Sequence, residues 1–241
     1  MPLPKITTPT YELVLPSTGK KIKYRPFLVK EEKVLILALE SQDPKQITNA
    51  IKTTLKDCIQ TRGVKVDSLP TFDIEYIFLN VRGKSVGEAL DLIVTCPDDE
   101  ETTVPVKIYI DEIEVKKDKN HKQDISLDAK LILKMKYPSL DEFIKENFDF
   151  DTSNSSAVEQ SFDVVASCIE MVYDQEDAWA AADCTKKELS EWVETLSSQQ
   201  FKKVEQFFNT MPKLSYTVKV KNPKTKVESE VVLEGLASFF G

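Results

Sequence analysis

Residues 201–241 read FKKVEQFFNTMPKLSYTVKVKNPKTKVESEVVLEGLASFFG, and three elements follow one another there without a gap. Phe201, Val204, Phe207 and Phe208 recur at helical spacing, which predicts a short helix. Met211-Pro212 stops it, because proline has no N–H to donate and disfavours helical geometry in the residue before it. Two strands are then expected, at 214–220 and 226–233, joined by the turn-prone Asn222-Pro223-Lys224. The chain closes on Leu236, Phe239 and Phe240. Rings so near a chain end are costly to leave in water, so they are expected to dock on a core or on a partner.

At the other end, residues 10–25 (TYELVLPSTGKKIKYR) predict a second hairpin. Tyr11, Leu13 and Leu15 alternate, Pro16-Ser17-Thr18-Gly19 turns the chain, and Ile22 and Tyr24 alternate back. A helix over 30–40 follows, with Val34, Leu35 and Ala38 as its buried stripe. Asp43-Pro44 starts a second helix, the aspartate accepting free N–H groups and Gln46 reaching back. Ile47, Ile51, Leu55 and Ile59 share its inner face. Leu69-Pro70 opens a third, carrying Ile74, Ile77, Phe78 and Val81 and ending at Gly83.

Strands are expected next at 90–96 and 104–110 around the acidic turn 97–101, then a short piece at 113–115 and one long strand over 125–135. Ser139…Glu142, Ser156…Glu159, Thr185…Glu188 and Ser197…Gln200 are capping-box pairs that open helices. The second of these helices would carry Val158, Phe162, Val165, Ile169 and Val172. The fold class that emerges is α+β: antiparallel β-hairpins forming a sheet, flanked by amphipathic helices. The expected division is an N-terminal α+β domain over 1–147, a linker at 148–155, and a helical segment with its closing hairpin over 156–241.

A chain of 241 residues with 41% hydrophobic and 30% charged residues can bury a substantial core. Its net charge of −8 opposes nucleic-acid binding by bulk electrostatics. No apolar run is long enough to span a bilayer, nothing resembles a signal peptide, and the four scattered cysteines read as reduced thiols of an intracellular protein.

Catalytic chemistry is hard to place. The single histidine, His121, lies in the hydrophilic run 116–124 and reads as a solvated loop residue. Cys96-Pro97 begins like a zinc knuckle but has no second cysteine. The acidic groups at Asp98–Glu101 and at Asp174, Glu176 and Asp177 fit no calcium loop, and six glycines make no phosphate cradle. The expectation is therefore no catalytic, metal or cofactor residue and no small-molecule substrate. A hydrolase would need carboxylates brought together only by folding. Apolar residues near the chain end stand out instead, and Phe207, Phe208, Leu236, Phe239 and Phe240 are the candidate partner-interface residues.

The order of several motifs resembles one family. Pro9-x-Tyr11-x-Leu13-x-Leu15-Pro16-Ser17-Thr18-Gly19 leads to Arg25-Pro26-Phe27-Leu28-Val29-Lys30-Glu31-Glu32-Lys33. The Asp43-Pro44 start, the Cys96-Pro97 turn with its Val106-x-Ile108 return, Phe208-x-x-Met211-Pro212-x-Leu214 and Gly235-Leu236-x-x-Phe239-Phe240 follow. Together they resemble the baseplate hub assembly family of T-even-type contractile-tailed bacteriophages. That resemblance implies a non-enzymatic tail protein, made in the host cytoplasm, that helps build the baseplate hub and contacts other baseplate or hub proteins. It is compatible with a hub component or with a dedicated chaperone absent from the mature virion.

Overall fold

The computed structural model describes residues 6–41, 43–139 and 157–239. Its elements run β1 (Tyr11–Val14), β2 (Lys21–Tyr24), α1 (Val29–Ser41), α2 (Pro44–Cys58), α3 (Thr71–Val86), β3 (Ala89–Thr95) and β4 (Thr103–Tyr109). Next come β5 (Glu114–Lys116), β6 (Asp124–Ser126), β7 (Ile132–Met135), α4 (Ala157–Ser167), β8 (Ile169–Tyr173) and β9 (Ala178–Ala180). The chain finishes with α5 (Lys186–Glu194), α6 (Ser198–Thr210), β10 (Lys213–Lys221) and β11 (Glu228–Glu234).

The fold is α+β, with every strand pairing antiparallel. Among the described residues the hairpins form four small sheets: β1-β2, β11-β10-β5, β3-β4 and β6-β7-β8-β9. The expected hairpins at both ends are present, and Tyr11 faces Tyr24 as Tyr216 faces Leu233.

Several helix signals act as read. Asp43 accepts the N–H of Lys45 at 2.9 Å, and Gln46 reaches back to its carboxylate at 3.0 Å. Thr185–Glu188 and Ser197–Gln200 form complete capping boxes. Glu142 of the Ser139…Glu142 box, the start of the Ser156 box and the linker at 148–155 lie outside the described residues.

Four local readings are corrected. In α1 Leu35 and Ala38 are buried, but Val34 is exposed and Glu31 takes an interior place. Glu31 accepts from Arg25 Nη2 at 2.9 Å and from the Leu28 N–H at 2.6 Å, pinning the start of α1 to the end of β2. α3 runs through Gly83 and ends before Gly87, whose φ is 147°. A Cβ at Gly83 would lie 2.6 Å from Ile110 Cδ1, so glycine lets the helix approach the turn after β4.

The long strand over 125–135 is two strands. Asp128 accepts N–H groups from Lys130 and Leu131, both at 2.8 Å, and folds the chain back on itself. The helix expected to reach Val172 stops at Ser167, and Ile169–Tyr173 pairs with β7 instead. Ile169, Val172 and Tyr173 are β-branched or aromatic, and cross-strand packing overrides the helical spacing.

Two main cores share the chain. One gathers β1, β2, α1, α2, α3, β3 and the end of β4 with Leu214 and Phe239 from the C-terminal region. The other joins Ile125, Leu127, Leu133 and Met135 to Val165, Cys168, Ile169, Val193, Val204 and Phe207. A third small cluster holds Val94 and Cys96 against Val218 and Val220, so the β3-β4 hairpin packs on β10-β11.

Candidate partner interface

Phe207 and Phe208 sit in the last turn of α6, started by the Ser197–Gln200 box. Phe207 is 2% exposed and meets Phe208 edge-on at 5.1 Å, His121 at 5.1 Å and Tyr137 in a stack at 5.7 Å. Tyr137 in turn meets Phe72 of α3 edge-on at 5.0 Å. These rings form a seam from the second core to α3. Phe208 is partly buried against the second core.

His121 belongs to this seam, which corrects its reading as a solvated loop residue. Its Nδ1 lies 3.0 Å from Thr210 Oγ1 and its Nε2 3.0 Å from the Tyr137 hydroxyl. Thr210 already donates to the Gln206 carbonyl at 2.7 Å. The consistent tautomer therefore has Nδ1–H donating to Thr210 and Nε2 accepting from Tyr137. Burial, with the nearby Lys117 charge, lowers the His121 pKa and favours this neutral ring.

The chain end turns inward. Gly235, at φ 70°, donates its N–H to the Leu214 carbonyl at 2.9 Å, and a 3-10 helix spans Leu236–Phe239. Phe239 is 1% exposed and belongs to the first core. Of the five candidate residues, Phe207 and Phe239 thus fill the chain's own cores, in two different places. The Leu236 side chain and Phe240 lie outside the described residues.

Surface of a different kind occurs on the β3-β4 hairpin. Ile110 N–H reaches the Glu88 carbonyl at 2.9 Å and Cys96 N–H the Thr102 carbonyl at 2.7 Å, so the even-numbered residues of β3 bond to β4. The main-chain groups of Ala89, Asp91, Ile93 and Thr95 point the other way, and no strand pairs with them among the described residues. Ile93 is 76% exposed on this edge. On β4, Pro105 stands opposite Ile93, where its missing N–H falls on the outer edge and removes a donor there.

The free edge of β11 is guarded differently. Glu228, Glu230 and Glu234 lie along it and pair with Lys221, Lys219 and Lys213 of β10. The β3 edge carries no such row of ion pairs among the described residues.

Asp98 holds the hairpin in place. Its carboxylate accepts from Asn222 Nδ2 at 3.0 and 3.1 Å and from Thr225 Oγ1, clamping the β3-β4 turn to the β10-β11 turn. The Thr225 and Asn222 hydrogen bonds lower the Asp98 pKa. The acidic turn is thus a structural latch. Cys96 is fully buried beside it, and burial followed by the Asp98 and Asp99 charges raises its thiol pKa. Among the described residues no group of three or more His, Cys, Asp or Glu is placed to hold a metal ion.

A second exposed apolar surface is on α1, where Val29, Val34, Ile36, Leu37 and Leu39 are all exposed. The sequence carried a signal for it: VLILAL at 34–39 is apolar all round, whereas a helix with one covered side needs only a stripe. Among the described residues, no helix is long and apolar enough to cross a membrane.

A family model described as T4 bacteriophage base plate protein matches residues 8–241. No curated protein and no solved structure matches the chain.

Proposed function

The chain belongs to the T4 bacteriophage base plate protein family, and from that membership we propose that it is a non-catalytic hub component or hub-assembly factor of the baseplate. It works in the tail baseplate, or in the host cytoplasm as the baseplate is built, by contact with other baseplate proteins. The observation that carries this reading is the β3 edge. Its outward N–H and C=O groups are unpaired among the described residues, Ile93 is exposed beside them, and the Asp98 latch holds the hairpin on β10-β11. Such an edge accepts an extended strand of another protein by main-chain hydrogen bonding. Phe208 and the chain end at Leu236 and Phe240 belong to the same reading as further contact points. Phe207 and Phe239 support them from within.

The test uses the full chain in infected cells. Asp91→Pro removes one outward donor and leaves the β3-β4 ladder bonds in place, and Ile93→Lys puts a charge on the edge. Each variant should keep the wild-type circular dichroism spectrum and lose co-purification of other baseplate proteins. Folded variants that still bring down the same partners would rule out the β3 edge. Mass spectrometry of purified virions separates the two roles: presence in the particle assigns a hub component, absence an assembly factor.

A further inference from the structure

The outer face of α1 has a charge pattern of its own. At 100° per residue, Glu31, Leu35 and Ala38 share the covered side, while Val29, Lys33, Ile36, Leu37 and Glu40 gather on the opposite side. All five of these are exposed, Val29 at 79%. Lys33 and Glu40 stand one heptad apart and bracket Ile36 and Leu37. Among the described residues neither charge has an ion-pair partner.

From this arrangement we propose that α1 pairs antiparallel with α1 of a second copy of this chain across a two-fold axis between Ile36 and Leu37. That register sets Lys33 opposite Glu40 of the second copy and Glu40 opposite its Lys33, while Ile36 and Leu37 pack on each other at the centre. A parallel pairing would place lysine against lysine and glutamate against glutamate, so the charges select the antiparallel form. The surface is self-complementary, as a two-fold interface requires. It also explains a helix that is apolar on both sides: the first core covers one and the second copy covers the other. The β3 edge is not part of this contact, so the proposal stands apart from the baseplate role.

Sedimentation velocity of the full chain over a concentration series tests it. The wild type should show a reversible monomer–dimer equilibrium. Lys33→Glu and Glu40→Lys, each of which places like charges opposite one another, should weaken the dimer by about tenfold or more. The Lys33→Glu/Glu40→Lys double variant should regain most of that affinity. Ile36→Lys/Leu37→Lys should be monomeric with an unchanged circular dichroism spectrum. Should that variant fail to fold, the charge-swap series decides alone, since its substitutions are at exposed positions. A wild type that stays monomeric up to about 100 μM, or a dimer insensitive to the swaps, would overturn the proposal.

Discussion

Only two residues follow Phe239 in the sequence, yet its ring is 1% exposed within the first core. Phe239→Ala should therefore cost about 3–5 kcal/mol in urea unfolding, the range for emptying a buried aromatic site. A loss below about 1 kcal/mol would show that the ring is not core. Deleting 235–241 should destabilise the protein likewise, so a lost partner after that truncation would report unfolding as much as a missing contact. Gly83 gives a second test. Gly83→Ala normally strengthens a helix, but here the new methyl would sit 2.6 Å from Ile110 Cδ1. The substitution should lose most of that usual gain of about 1 kcal/mol, because the buried Ile110 δ-methyl has to swing aside. Adding Ile110→Val, which removes Cδ1, should recover part of the loss. Additive effects would mean the two sites do not touch.

Among the elements, α1 depends on the junction at its start. Arg25 and Glu31 side chains are 13% and 5% exposed and bonded at 2.9 Å, and Lys30 adds a third contact at 3.1 Å. Burial alone would raise the Glu31 pKa, but Arg25, the Leu28 N–H and Lys30 outweigh it and bring it to about 2. The folded pKa lies below the ordinary 4.5, so the unfolded chain binds the proton first as pH falls. The stabilisation is complete above about pH 4.5 and is lost between there and about pH 2. Arg25→Met should cost about 1–3 kcal/mol at neutral pH, because the buried carboxylate keeps only the Leu28 N–H and the exposed Lys30 as partners. It should also flatten the acid limb of the stability profile. An unchanged acid limb would dismiss the pair as its source.

For the whole molecule, the question is how the two cores are joined. Phe72, Tyr137, His121 and Phe207 link α3 to α6, and the neutral His121 ring accepts from Tyr137 at 3.0 Å. Burial, then Lys117, lowers its pKa, while Asp118 opposes them. The unfolded chain therefore binds this proton at higher pH than the folded one, and stability rises with pH through the window below about 6.5. His121→Phe should remove that contribution, so the difference in urea midpoint between pH 5 and pH 7 should shrink relative to wild type. An unaltered difference would place the linkage elsewhere. Local chemistry, legible from the chain alone, gives both end hairpins, the Asp43 cap, the Thr185 and Ser197 boxes, and the motif order of a baseplate family. Those features depend on neighbours within a few residues, where capping and turn geometry dominate. Long-range packing makes Val172 strand, Gly83 a packing site, His121 a seam residue and Phe239 core. Each of these is set by a distant partner: β7, Ile110, Tyr137 and the first core. Burial is a relation between residues far apart in the chain, and hydrophobic spacing alone does not say which side another element will cover.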